Sequence, residues 1–456
     1  VLSSYDLENN FCNSLAGTQA VVEACTCVRP SCQEHHDRKE EDMKSLSLAS
    51  EAHLNTTARP GVLDNLARRL VLKQLGSLRT GSLQLIEGEF SITFGEATDA
   101  ELCARIEVLD GSFYSDIAFG GSVGAGEAYM RGAWQCDDLV SLVRILLRNR
   151  DVLDNMERGT ARITRSLQRF FHWINRNTRE GARRNIAAHY DLGNEFFALW
   201  LDESMMYSSA MFEHKDQSLA DAQVHRLNVI CEKLALKPED HVIEIGTGWG
   251  GFAIYAAQNY GCRVTTTTIS KQQYEMAWQR INEAGLQDRI ELLLEDYRDL
   301  EGRYDKLVSI EMIEAIGSDQ YDTYFAQCSH LLKPGGRMLI QAITIADDQY
   351  AYAQKNVDFI QRYIFPGSCL PSLEVMMKTI TRVSDMVVTK VEDIGQDYAL
   401  TLNHWRRNFF SHVHEVIEMG YPDEFIWMWE FYLCYCEGGF IEGAISDVHL
   451  LAEKPV

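Results

Sequence analysis

Apolar and polar positions are patterned over the C-terminal half of the chain in a way that the first 60 residues lack. Short apolar runs at 242–245, 263–268, 290–294, 306–310 and 337–343 read as strands. Stretches at helical spacing lie between them. Over 271–284, Met276, Ala277, Ile281 and Ala284 fall on one helical face. Strands that alternate with helices predict an α/β fold, a doubly wound, mostly parallel sheet of Rossmann-like type with helices on both faces. Upstream, Leu63, Leu66, Ala67 and Leu70 also sit at helical spacing, and 83–94 and 104–108 read as strands broken by Gly and Asp. The expected organisation is a disordered segment 1–60, a small α+β domain 61–155, a helical connector 156–185 and the α/β domain 186–456. No internal repeat is visible.

Composition narrows the class. The 456 residues are 46% hydrophobic, with 43 basic and 66 acidic side chains and a net charge of −23. A balance this acidic argues against nucleic acid as the partner, because phosphate neutralisation needs a basic footprint. No apolar run approaches the 18–20 or so residues that span a bilayer. The longest candidate, 426–440, is interrupted by Glu430 and Glu437 and reads as a core helix. Twelve cysteines are too sparse for a disulfide scaffold. Cys25, Cys27 and Cys32 are followed too closely by His35 and His36 for a known zinc pattern, so no metal is expected. Residues 1–20 lack the basic start and apolar core of a secretory signal. A reducing, cytoplasmic setting is therefore expected.

One stretch inverts the local charge. Residues 158, 162, 165, 169, 176, 179, 183 and 184 are arginines, interleaved with Leu167, Phe170, Phe171, Trp173 and Ile174. Two readings stand: a solvated linker helix paired with the acidic body, or a basic aromatic helix that meets anionic lipid headgroups.

The first strand of the α/β half runs into Glu244-Ile245-Gly246-Thr247-Gly248-Trp249-Gly250-Gly251. Glycines there let the backbone turn tightly against a ligand, with a helix N-terminus behind them. A nicotinamide dinucleotide fold expects an acid about 20 residues on to hold a ribose hydroxyl. No Asp or Glu lies between Gly251 and Glu275, which counts against that cofactor. The acid-x-Gly-x-Gly-x-Gly form instead resembles the first motif of class I S-adenosylmethionine-dependent methyltransferases. At the end of strand two, Ser270 and Gln273 also fit a helix capping box.

The resemblance extends over about residues 80–456, to the cyclopropane fatty-acid synthase and mycolic-acid methyltransferase family. Its blocks are Gly121-Ser122-Val123-Gly124-Ala125-Gly126-Glu127-Ala128-Tyr129-Met130 with Trp134-Gln135-Cys136-Asp137; His189-Tyr190-Asp191-Leu192-Gly193-Asn194; the glycine turn; Asp296-Tyr297-Arg298-Asp299; and the segment from Tyr363 to Ser372. It implies methyl transfer from S-adenosylmethionine to the cis double bond of an unsaturated phospholipid acyl chain, giving a cyclopropane fatty acid. It implies that Tyr207, Ser208, Glu244, Gly246, Gly248, Gly250, Thr268, Gln273, Asp296 and Tyr297 line the cofactor. It also puts Tyr190 and Tyr398 near the reacting carbon, where aromatic faces stabilise a carbocation by about 0.5–2 kcal/mol each.

The family resemblance further implies bicarbonate as the base, in a cradle of Cys, Glu, His, Tyr and backbone near an Ile. Glu314, Tyr398 and Ile343 match. Ser209 stands at the Cys position and Gln341 at the His position, so the cradle is altered. Gln donates a hydrogen bond but relays no proton at neutral pH. The family's usual Gly three residues before the Glu is Glu311 here, at the exit of strand four. Two readings remain for Glu311: a hydrogen-bonded structural or cofactor contact, or a carboxylate that helps to replace bicarbonate. The expected catalytic set is Glu314, Tyr398, Glu311, Gln341, Ser209 and Tyr190. Three alternatives stay open: a methyl- or methylene-branched product, a catalytically silent lipid-binding relative, and, last, an NAD-dependent oxidoreductase. The expected place of work is the inner membrane face, as a peripheral enzyme, with a homodimer left open.

Overall fold

The computed structural model describes residues 62–96, 102–152 and 192–456, all within a unit spanning 60–456. The first 61 residues, including Cys25, Cys27 and Cys32, lie outside the described residues, as do the arginine-rich connector and Tyr190.

The N-terminal part comprises helix α1 (Val62–Leu75), strands β1 (Gly81–Glu87), β2 (Phe90–Glu96) and β3 (Cys103–Val108), helix α2 (Ser112–Met130), strand β4 (Trp134–Cys136) and helix α3 (Leu139–Arg148). Its sheet has the order β2-β1-β3-β4. The run at 83–94, expected to be broken by Gly, is an antiparallel pair, because the chain reverses at Gly88 with φ 57°. Helix α1 buries Ala67, Val71 and Leu75, while Leu66 is 53% exposed. The buried row shares Ala67 with the expected face and leaves out Leu66 and Leu70. The i, i+4, i+8 row 67-71-75 lies on one side of the helix, which packs on α2. Helix α2 bends at Gly121, whose φ 57° and ψ −140° suit glycine alone.

The larger part comprises helix α4 (Leu219–Leu234), strand β5 (His241–Ile245), helix α5 (Gly251–Tyr260), strand β6 (Arg263–Thr267), helix α6 (Lys271–Glu283), strands β7 (Ile290–Leu293) and β8 (Tyr304–Ile310), helix α7 (Tyr321–Leu331), strand β9 (Leu332–Ile345), helix α8 (Leu373–Val383), strand β10 (Val387–Asp393), helices α9 (Gly395–Ser411) and α10 (Asp423–Ile441), and strand β11 (Ile445–Glu453). The sheet order is β10-β11-β9-β8-β5-β6-β7. Five strands, β5 to β9, are parallel, and β10 and β11 join antiparallel beside β9. The doubly wound, mostly parallel architecture is as expected. Strands β10 and β11 were not legible. Charged residues at the edge (Lys390, Glu392) and Ser446, Asp447 and His449 inside β11 break the apolar pattern.

Rings of Phe196, Phe197, Trp200, Trp405 and Trp429, all fully buried, pack at centroid separations of 5.0–6.4 Å. The run at 426–440 is indeed a core helix, α10. Its two acids are accommodated by partners: the Tyr129 hydroxyl donates to Glu430 at 2.6 Å, and Arg406 Nε donates to Glu437 at 2.9 Å. Among the described residues, no helix is long and apolar enough to cross a membrane.

Candidate active site

At the carboxyl end of β5 the chain passes through Gly246, Gly248 and Gly250 with φ of 103°, 53° and 88°. The left-handed backbone aims peptide groups outward while Gly246 and Thr247 donate back to the Thr267 carbonyl. Glu244 is buried just before the turn and accepts from Thr266 Oγ1 at 2.6 Å. Burial pushes its carboxyl up to about 8. A cavity of about 510 Å³ opens here. Every expected cofactor residue lines it except Gly250, which sits behind it as the N-cap of α5.

The polar groups of the cavity wall are held in place. Thr268 Oγ1 donates to Gln273 Oε1 at 2.9 Å, so Gln273 does not complete the capping box; Ser270 Oγ alone caps α6 by accepting from the Gln273 N–H. Arg298 grips Asp296 through Nε at 2.8 Å and Nη2 at 2.6 Å. Tyr207 and Tyr432 are joined hydroxyl to hydroxyl at 2.9 Å. The buried Ser208 hydroxyl and Tyr297 hydroxyl have no hydrogen-bond partner among the described residues.

The same cavity reaches the exits of β8 and β9, where Glu311 has φ 47°, left-handed for a residue with a Cβ. Its carboxylate is fixed from three sides. Oε1 accepts from the Ser209 backbone N–H at 2.7 Å and from Gln341 Nε2 at 2.8 Å, and Oε2 accepts from the Tyr398 hydroxyl at 2.7 Å. Burial raises its pKa, opposed by the Ser209 and Tyr398 donors, by the Arg226 guanidinium and by Asp447. Glu314, one short turn later, accepts from the Ile343 N–H at 2.5 Å through Oε1, and its Oε2 has no hydrogen-bond partner among the described residues. Burial, then the neighbouring Glu311, push it up to about 8. The far wall is aromatic, with Phe365, Tyr398, Tyr432, Tyr435 and Phe440.

Comparison with known proteins identifies this arrangement. Residues 177–450 match the mycolic acid cyclopropane synthetase family. The tuberculostearic acid methyltransferase of Mycobacterium tuberculosis is 36% identical over 74% of this chain and 80% of its own. The cyclopropane-fatty-acyl-phospholipid synthase of Escherichia coli K12 is 37% identical over 78% and 89%. Among solved structures, mycolic acid cyclopropane synthase CmaA1, crystallised with SAH and CTAB, superposes with a TM-score of 0.55, at 29% identity, over 60% of this chain and 98% of that one. The chain belongs to the mycolic acid cyclopropane synthetase family. It is an S-adenosylmethionine-dependent methyltransferase with the class I fold.

The cavity suits that cofactor. The glycine turn leaves room for close approach, and the Ser208 hydroxyl awaits an acceptor or donor from a ligand. It does not suit a bicarbonate ion in the family's cradle. The donors from 209, 341 and 398 are all taken by the Glu311 carboxylate. Two expected catalytic residues also change role. Ser209 turns its hydroxyl to the Ala210 carbonyl and offers only its backbone N–H, and Gln341 stands behind Glu311, off the cavity wall. Both positions face a carboxylate already present, so neither needs a charged side chain.

Sequence reasoning missed the buried polar layer behind Glu311. Asp447 and His449 of β11 and Arg226 of α4 are each no more than 2% exposed. Arg226 Nη1 donates to Gln341 Oε1 at 3.3 Å and Nη2 to Gln223 at 2.7 Å. The available signal was polar residues at alternate positions of an otherwise apolar strand, Asp447 and His449.

Proposed function

We propose that this enzyme transfers a methyl group to the cis double bond of an unsaturated phospholipid acyl chain at a bilayer surface, then closes a cyclopropane ring with Glu311 as the base. S-adenosylmethionine supplies an electrophilic methyl group. The alkene π pair forms the new C–C bond as the sulfur–methyl bond breaks onto sulfur, leaving a carbocation on the neighbouring chain carbon. Glu311 takes a proton from the added methyl, and that C–H pair closes the ring. Tyr398, Tyr432, Phe365 and Phe440 give the cation a dry aromatic wall.

One observation carries this reading: a fixed carboxylate, held in a left-handed backbone conformation that costs about 1–2 kcal/mol, occupies the donor set on the cavity wall. The relative named for tuberculostearic acid supports a second product, a methyl-branched chain that keeps one C=C bond, made by the same residues when the proton is lost from a chain carbon beside the cation and that C–H pair forms the new double bond.

The test is turnover on vesicles of unsaturated phospholipid with labelled S-adenosylmethionine and mass spectrometry of the acyl chains. Stripping dissolved bicarbonate is expected to leave the parent unchanged. Glu311→Gln is expected to lose about 10²–10⁴-fold in turnover while keeping cofactor affinity. Glu311→Gly, which relieves the backbone and frees the donors, is expected to respond to added bicarbonate. A bicarbonate-dependent parent with an active Glu311→Gln variant would return the base role to the ion.

A further inference from the structure

Asp447 lies on β11 directly behind Glu311 and is completely buried. Its Oδ2 accepts from Gln341 Nε2 at 2.8 Å, and its Oδ1 has no donor among the described residues. The same Nε2 donates to Glu311 Oε1 at 2.8 Å. Two carboxyl groups therefore share one amide nitrogen in a dry layer.

The orientation of that amide is settled by its other neighbours. Lys233 Nζ lies 2.6 Å from His449 Nδ1, and an ammonium only donates, so Nδ1 is the accepting nitrogen. The His449 proton is then on Nε2, which donates to Gln341 Oε1 at 3.2 Å. Arg226 donates to the same oxygen. Both amide hydrogens of Gln341 consequently face the two carboxyls.

The pair is unequal. Among the described residues Glu311 has three hydrogen-bond donors and Asp447 has one. Like charges this close in a buried site do not both ionise, and the proton goes to the group with the poorer donor set. We propose that Asp447 is a positioning residue that stands as a neutral carboxylic acid and donates its proton as a hydrogen bond to Glu311. Burial and the Glu311 charge both raise the Asp447 pKa, and a hydrogen bond from Asp447 lowers that of Glu311. The groups facing the pair are Arg226 from α4, Tyr398 from α9, Glu314 after β8, His449 on β11, and, beyond the imidazole, Lys233 with its partner Glu392 on β10. This inference rests on the reading of Glu311 as the base.

The experiment is the pH profile of kcat/KM for the full chain with S-adenosylmethionine and unsaturated phospholipid vesicles, comparing parent, Asp447→Leu, Asp447→Asn and Glu311→Gln. Asp447→Leu removes the donor, so Glu311 becomes harder to ionise. Its acid limb is expected to move to higher pH and its kcat to fall about tenfold or more, with the KM for S-adenosylmethionine unchanged. Asp447→Asn keeps a neutral donor and is expected to restore the parent limb. If Asp447 were ionised in the parent, both variants would move the limb to lower pH, and that result, or no shift in Asp447→Leu, overturns the proposal. Should Asp447→Leu fail to fold, a downward shift in Asp447→Asn alone overturns it, and a parent-like limb supports it. A Glu311→Gln variant as active as the parent sinks the base reading itself. An inactive one together with an unshifted Asp447→Leu sinks only the role of Asp447.

Discussion

Tyr398 donates its hydroxyl to Glu311 at 2.7 Å, joining two residues 87 positions apart in the chain. The phenol ring also stacks on Phe440 with centroids 4.4 Å apart, which leaves the hydroxyl little freedom. Tyr398→Phe keeps the stack and removes the donor. A hydrogen bond to a charged group contributes about 1.5–3 kcal/mol. Turnover is expected to fall about 10- to 150-fold, with S-adenosylmethionine affinity within about twofold by calorimetry. Parent-like turnover would show that the phenol does not hold the base.

Gly246→Val tests the cofactor turn. The residue has φ 103°, and even a Cβ would stand 3.3 Å from Met312 Cγ on the cavity side. Both the strained backbone and the added bulk oppose ligand approach. Calorimetric titration is expected to show S-adenosylmethionine affinity reduced at least about 100-fold, and unchanged binding would misplace the turn.

Glu314 gives stability a pH dependence of known sign. Its folded pKa is raised from 4.5 to about 8, so the native state binds the proton more tightly than the unfolded chain. The associated stability is complete below about 4.5 and is lost as pH rises through 8. Glu314→Gln is expected to flatten the fall in urea midpoint between pH 5 and 8.5. Parallel curves for parent and variant would place the carboxyl in water.

The arginine-rich stretch 156–185 is expected to add affinity for anionic vesicles, at about 1 kcal/mol per basic residue near the surface. Replacing Arg162, Arg165 and Arg169 together by Gln is expected to weaken vesicle co-sedimentation. Added salt should weaken the parent in the same way, since exposed charges are screened beyond about 8–10 Å. Unaltered co-sedimentation of the triple variant would assign this stretch to the linker role.

Sequence by itself determined the parallel sheet and the glycine turn of this protein, and the family resemblance pointed to much of the cavity lining. Those features are local. Apolar runs of strand length, φ-permissive glycines before a helix and a cap such as Ser270 are each written within a few residues. The family resemblance also singled out Glu314, as a match, and Glu311, as a departure from the family's usual Gly. Only the tertiary structure decided what those acids touch. β11 inserts antiparallel between β9 and β10 and places His449 against Gln341, and helix α4 delivers Arg226 to the same amide. Whether Ser209 offers its backbone N–H to a carboxylate, and whether Gln341 weakens an anion site or aligns a carboxylate, depends on neighbours 30 and 102 residues away. Buried polar groups take their meaning from partners that pairing across the sheet supplies, and no local pattern encodes that pairing.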